Sequence, residues 1–220
     1  MAYIDFIAAN HKRTKRNYLA RVVEYSKAEA AKIAKQFGKD YWDGDRRFGY
    51  GGYQYDGRWQ PVARALTERY QLRPGHRVLD VGCGKGFLLF ELSRIVPDLE
   101  IVGLDISEYA VAHGKEEIKS SLRVGDARHL PFETKSFDLV LSIMTLHNLY
   151  CFDLAKALQE IERVGRAGKY VVVESYRTEE EKMNLLYWQL TCECFFTPEE
   201  WTWWFGQFGY SGDYSFAYFE

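Results

Sequence analysis

The 220-residue chain has no apolar run near the ~20 residues that a membrane-spanning helix needs, and its charges almost cancel, at a formal −2. So even a balance gives no bulk electrostatic reason to bind nucleic acid or a membrane surface. The opening MAYIDFIAANHKRTKRNY lacks an apolar segment followed by a small-residue cleavage site, so a cytoplasmic location is expected rather than secretion. The four cysteines, at 83, 151, 192 and 194, form no ligand-pair spacing. Cys192 and Cys194 make one C-x-C with no second pair and no histidines nearby, which argues against zinc; no metal is expected, and reduced thiols are the simpler reading. Internal repeats and low-complexity tracts are missing as well. HKRTKR (11–16) reads as the solvated start of a helix.

Aromatic side chains are in excess at 16%, and they fall largely into two clusters. YWQLTCECFFTPEEWTWWFGQF (187–208) has partly helical spacing and reads mainly as core, with Tyr187 and Trp188 near a pocket mouth and any exposed rings offering a homodimer contact. DYWDGDRRFGYGGYQYDGRW (40–59) mixes rings, glycines and both charges, a composition unlike core and unlike disorder.

Residues 17–37 carry apolar positions at helical spacing, and QPVARALTERYQL (60–72) is a helix stopped by RPG. From there strands and helices alternate. HRVLDV (76–81), EIVGLDI (100–106), SLRVGD (121–126), SFDLVLSI (136–143) and KYVVVES (169–175) are strands, separated by helices at 84–96, 107–118 and 153–165. Continuous apolar strands of this kind imply a parallel sheet covered on both faces. Right-handed crossovers then give an α/β, doubly wound, mostly parallel Rossmann-like sheet. Two more helices, 179–190 and 197–209, precede a last strand, DYSFAYFE. The division expected is a helical and glycine/tyrosine-rich cap over residues 1–60, then a Rossmann-like domain over 61–220.

In such a sheet the ligand sits at the carboxyl ends of the strands. The first strand runs into LDVGCGKG (79–86), where Gly82, Gly84 and Gly86 let the backbone turn sharply and approach a ligand. The spacing differs from G-x-G-x-x-G, and no G-x-x-x-x-G-K-[ST] is present, which excludes a P-loop. Asp105 ends the second strand about twenty residues on, where a carboxylate can take both ribose hydroxyls. Asp126 ends the third.

In that order, VLDVGCGKG, GLDIS, GDARHLPF…SFDLVLS and LHNL resemble the motif series of class I S-adenosylmethionine-dependent methyltransferases, closely over residues 74–175. The resemblance implies that the three glycines pass the methionine moiety of S-adenosylmethionine, that Asp80 orients the loop and the amino group, and that Ile106 packs on adenine. It further implies that Asp126 and the Ala127 amide meet the adenine edge and that the Ser142 carbonyl faces the methionine amine. Cys83 is a small packing residue within this loop, and Lys85 a solvated one. Such enzymes commonly end in a β-hairpin with an antiparallel seventh strand. Here the chain has a single last strand, so the far edge is either bare, replaced by an earlier segment, or covered by the aromatic tail or a second subunit.

The function expected is transfer of a methyl group to oxygen or nitrogen of a small polar acceptor, anionic or sugar-like, by in-line displacement. The lack of an NPPY-like tetrapeptide after the fourth strand weighs against nucleobase or glutamine-amide acceptors. Competing readings are a non-catalytic, adenosylmethionine-binding regulatory subunit and, less favoured by the glycine spacing, a nicotinamide-dependent oxidoreductase. His147 is the first candidate general base, being just past the fourth strand with a near-neutral intrinsic pKa. Glu174 and Tyr176, at the end of the fifth strand, are the second, and Asn148 is a candidate for orienting the substrate. The segment 40–59 reads as a lid or, alternatively, as an ordered wrap. As a lid, Tyr41, Tyr50, Tyr53 and Tyr55 supply walls, and Arg46, Arg47 and Arg58 are candidate forks for a carboxylate or phosphate.

Overall fold

The computed structural model describes residues 1–12, 14 and 16–220. Arg13 and Lys15 of the basic run 11–16 lie outside the described residues. The N-terminal part forms short helices α1 (Ala8–Lys12), α2 (Ala20–Val23), α3 (Lys27–Ala34) and α4 (Lys39–Asp43). The helical pattern of 17–37 is split into two helices because Ser26 is extended and caps α3, its Oγ accepting from the Glu29 amide. Helix α5 (Gln60–Tyr70) starts with Pro61 in its first turn and ends at the left-handed Gln71.

Then follow β1 (Arg77–Val81), α6 (Phe87–Ile95), β2 (Glu100–Asp105), α7 (Glu108–Ala112), β3 (Leu122–Val124), β4 (Phe137–Ile143), α8 (Cys151–Val164) and β5 (Gly165–Glu174). Helices α9 (Glu179–Trp188) and α10 (Pro198–Gln207) lead to β6 (Asp213–Ala217). Helix α10 opens with a capping box between Thr197 and Glu200. No helix among the described residues is long and apolar enough to cross a membrane.

The sheet has the order β3-β2-β1-β4-β5-β6, and every pairing is parallel. Period-2 alternation divides the strand side chains between two cores. Val78, Leu139, Leu141 and Val172 meet Leu66 of α5 and Leu88 and Leu92 of α6. Leu79, Val140, Val171 and Val173 meet Leu158 and Ile161 of α8 and Trp201 and Phe205 of α10. Burial on both faces explains why these strands read as unbroken apolar runs.

The last strand lies parallel to β5, with Val172 opposite Ser215. No antiparallel strand is inserted between them. Its outer edge is taken by an earlier segment: Tyr3 bridges Tyr214, the Ile4 amide donates to the Tyr214 carbonyl at 2.9 Å, and the Tyr214 amide donates to the Ala2 carbonyl at 3.0 Å. The same segment is tied from the core side by Tyr170, whose hydroxyl donates to the Ile4 carbonyl at 2.9 Å and contacts Ser215 Oγ at 2.7 Å. Tyr170→Phe is expected to lower unfolding stability in urea by ~1–3 kcal/mol and to speed hydrogen exchange at the Ile4 amide. Unchanged exchange would show that the edge is held without this hydroxyl.

Candidate active site

A cavity of about 890 Å³ opens where Val81, Asp105, Ile143 and Glu174 end β1, β2, β4 and β5, and residues of the N-terminal helices roof it. It straddles the β1–β4 switch point, where an open parallel sheet leaves a crevice.

The glycine loop adopts left-handed backbone at Gly82 and Gly84, with φ of +84° and +55°. The room beside them is taken by the protein. A Cβ on Gly82 would stand 2.1 Å from Thr145 Oγ1, and one on Gly84 would stand 2.9 Å from the Trp42 ring. Gly82 and Gly84 line the cavity, whereas Gly86, expected with them beside the methionine moiety, is the N-cap of α6 and does not line it. Asp105 takes the Gly84 amide on Oδ2 at 2.7 Å and the Ser107 amide on Oδ1 at 2.8 Å, so each oxygen keeps a further lone pair. Asp80, only 4% exposed, lines the cavity with an Oδ1 that has no hydrogen-bond partner among the described residues. Burial, and then the charge of Asp105, push its carboxyl up to about 7.

Ile106 is an apolar side chain left 56% exposed on the cavity wall, beside Asp126 and Ala127. The Asp126 carboxylate is already held by Arg128, whose Nε donates to both oxygens at 2.9 and 2.8 Å. Its expected freedom to meet a base is thereby reduced. Cys83 lines the cavity, its Sγ near the Gly84 carbonyl at 3.6 Å. Ser142, whose carbonyl was expected to face the methionine amine, is wholly buried with its hydroxyl donating to the Val81 carbonyl at 2.9 Å, and the residues lining the cavity at this strand end are Ile143, Met144 and Thr145.

The base candidates separate sharply. His147 sits on the one-turn helix Leu146–Asn148 and is 2% exposed, outside the cavity lining. Its Nδ1 accepts the Glu174 amide at 3.3 Å, and burial pushes the imidazole down to about 3. His147 is therefore neutral and stands behind the cavity wall, not on it where the base was expected. Tyr176 is half-buried beyond the end of β5 under Lys182 and does not line the cavity either. Glu174 does line it. The residue is 1% exposed, Oε1 accepts from Gln189, and Oε2 has no hydrogen-bond partner among the described residues. Burial pushes the carboxyl up to about 8 against the opposing charge of Arg16. Asn148 lines the cavity, with Oδ1 accepting from Thr191 at 2.7 Å.

Tyr41, Tyr50 and Tyr53 line the roof, with Tyr50 stacked on Trp42 at 5.2 Å. Tyr55 does not. It turns outward onto Phe87 and Phe90 and donates to Glu91. Arg46 and Arg58 line the cavity, Arg58 already paired with Asp56, while Arg47 is exposed and paired with Asp45.

Lys85 is the clearest reversal. Expected in solvent, it is 4% exposed and donates to both Asp43 oxygens at 2.8 and 2.7 Å and to the Tyr53 carbonyl at 2.9 Å. Trp42, Arg16, Arg21 and His11 also line the cavity without having been picked out. Of Tyr187 and Trp188, both expected near the mouth, Trp188 lines the cavity and Tyr187 does not.

A family model described as a methyltransferase domain matches residues 72–209. The chain belongs to that family. With the parallel sheet and the cavity at its switch point, it belongs with the class I S-adenosylmethionine-dependent methyltransferases rather than the oxidoreductases. The methyltransferase is similar to the demethylmenaquinone methyltransferase of Symbiobacterium thermophilum, 31% identical over 128 residues that cover 54% of this chain and 50% of that protein. A protein of the same name from Staphylococcus aureus is 42% identical over 106 residues, covering 46% and 43%. The chain thus spans about half the length of the curated relatives it matches. Among solved structures, a Haloferax volcanii methyltransferase in complex with the Trm112 activator matches with a TM-score of 0.54 at 23% identity, over 69% of this chain and 72% of that one. The Bacillus YcgJ protein matches at 0.53 and 22%, over 66% of each. These two likenesses concern the fold.

Asp80 yields a test. Its folded carboxyl is raised to about 7, above the ordinary value of 3.8, so between those values the folded state holds the extra proton and stability falls as pH rises. Asp80→Asn should therefore flatten the loss of urea stability between pH 5 and 8, although Glu174 contributes in the same direction. An equal slope in both proteins would remove Asp80 as its source.

Proposed function

We propose that this methyltransferase transfers the methyl group of S-adenosylmethionine to oxygen or nitrogen of a small polar acceptor, with Glu174 receiving the acceptor's proton. The observation that carries it is the buried, cavity-lining Glu174 with one unpartnered oxygen and a carboxyl raised to about 8. A carboxylate of that proton affinity is a far stronger base than an exposed one and still ionises near neutral pH.

The residues present fit the cofactor. Asp80 offers an unpartnered buried oxygen to an ammonium group, Asp105 two open lone pairs to ribose hydroxyls, and Ile106 an exposed apolar face to a base. Gly82, Cys83 and Gly84 would border the methionine portion, and Ala127 the adenine edge. When bound, S-adenosylmethionine supplies a methyl carbon whose bond to sulfur breaks, with the electron pair leaving on the thioether, as the acceptor's lone pair forms the new bond.

What the chain contributes is alignment and exclusion of water, which can supply ~7–11 kcal/mol of barrier reduction. Residues 1–60 serve as the cap: Trp42 and Tyr50 close the roof, Asn148 and Thr191 wall the acceptor side, and 61–220 form the catalytic domain. The acceptor of the similar demethylmenaquinone methyltransferases is not carried over, because the family match begins at residue 72 and the cap lies before it.

Glu174→Gln is expected to lower kcat by ~10²–10⁴-fold while S-adenosylhomocysteine affinity, by calorimetry, stays within about twofold. In the wild type, kcat/KM should rise with pH through about 8, as Glu174 loses its proton, and that limb should vanish from the residual activity. A variant with undiminished kcat and the same limb would defeat the assignment.

A further inference from the structure

Three guanidinium groups converge around one ring at the cavity wall. Arg16, Arg21 and Arg46 stand 5.5, 4.7 and 5.0 Å from the centre of Trp188, and all four residues line the cavity. Among the described residues none of the three is in an ion pair. Their donors go to neutral acceptors instead. Arg21 donates to the Trp188 and Arg46 carbonyls at 3.1 and 2.7 Å, and Arg46 to the Gly49 and Tyr50 carbonyls at 2.8 and 3.0 Å. Arg16 donates to the His11 and Thr14 carbonyls, each at 3.2 Å, and to His11 Nδ1 at 3.3 Å. Its Nε is buried with no partner among the described residues.

Crowding these cations, Arg16 and Arg21 half-buried and Arg46 exposed at the rim, without a counter-charge is unfavourable, and all three are pushed below the ordinary arginine value. Burial, and then the charge of Arg46, push Arg21 down to about 10. Trp188 and the loop carbonyls hold the three groups in place at that cost, which makes the cluster a preformed receptor for an oxyanion.

We propose, resting on the methyltransferase reading above, that the acceptor carries a carboxylate or phosphate group bound by Arg16, Arg21 and Arg46 beside Trp188. The cofactor's own carboxylate is the other source of that chemistry, and the sheet order argues against it. Asp105 and Ile106 mark the nucleoside side at the tip of β2, whereas Trp188 ends α9 and the charge of Arg16 reaches Glu174 at the tip of β5. Strands β1 and β4 lie between. An anion on the arginines would set the nucleophile of a small acceptor next to Glu174, so specificity and proton removal would share one wall. These arginines all precede residue 72, where the family match begins, so the selectivity is built from the cap.

The test uses the whole chain saturated with S-adenosylhomocysteine. Millimolar inorganic phosphate or acetate should raise Tm beyond sodium chloride of equal ionic strength. The double variant Arg21→Gln/Arg46→Gln should weaken the apparent phosphate affinity by at least about tenfold and leave S-adenosylhomocysteine affinity, by calorimetry, within about twofold. Arg21→Lys/Arg46→Lys, which keeps the charge but not the fork, should retain an intermediate response if the variants are folded. No wild-type response beyond chloride would overturn the proposal. So would a parallel loss of S-adenosylhomocysteine affinity, which would reassign the arginines to the cofactor's carboxylate. If the wild type bound no S-adenosylhomocysteine, the methyltransferase reading would fail instead, and phosphate titration of the free protein would still decide whether the arginines form an anion site.

Discussion

A buried ammonium joins the two parts of this molecule. Lys85 belongs to the glycine loop after β1, and Asp43 and Tyr53, which hold it, belong to the segment before the sheet. Burial opposes the charge on Asp43, but donors from Lys85 and Tyr109 outweigh it and hold the carboxyl below its usual range. Removing one partner of such a pair leaves the other charged and dry, typically at ~3–5 kcal/mol. With the pair intact, the indole of Trp42 is seated on Gly84 and its Nε1 donates to Ser107 Oγ at 2.9 Å. The loop after β1 and the turn after β2 thus both hang on the N-terminal segment. The glycines are needed as much to admit Trp42 and Thr145 as to face a ligand.

With the roof fixed, the strand order sorts charge across the cavity. Acids cluster at the ends of β1 and β2, where burial raises both Asp80 and Asp105, the charge of Asp105 raises Asp80 further, and a cationic ligand would relieve it. Guanidinium groups gather at the opposite wall, around the end of α9. A ligand that is positive toward one end and a second that is negative toward the other would each settle where the protein has left charge uncompensated. The arrangement favours bringing the two together over admitting either in the wrong place.

What could be read from the residues was whatever a local pattern determines. Strands β4 and β5 announce themselves because both faces are buried, and the turn after β1 because left-handed backbone calls for glycine. Asp105 could be placed because an apolar strand runs into it and ends there. The failures share a different cause. Lys85, read as solvated, has its carboxylate 42 residues away, and Arg21, which had not been picked out, meets the Trp188 carbonyl across 167 residues, so both are bound by partners no local window contains. Direction was lost too. His147 and Asn148 are neighbours, yet the single turn at Leu146–Asn148 sends one into the interior and the other to the cavity. Tyr176 follows Glu174 by two residues, but β5 has ended, and strand alternation no longer applies.

The buried, neutral histidine bears on the base role proposed for Glu174. A protonated imidazole beside it would draw its pKa down and make it an ordinary, weak carboxylate. Instead Nδ1 accepts the Glu174 amide, which puts the ring proton on Nε2, and burial holds the imidazole at about 3, so the ring stays neutral although Nε2 is 3.4 Å from Oε2. Trp201 clamps the same residue from the other face, its Nε1 donating to the Glu174 carbonyl at 2.9 Å, and Gln189 holds Oε1. The backbone and one carboxylate oxygen are therefore fixed by neutral donors and acceptors. The other oxygen is left with high proton affinity and, among the described residues, no hydrogen-bond partner, its nearest polar neighbour being His147 Nε2 at 3.4 Å.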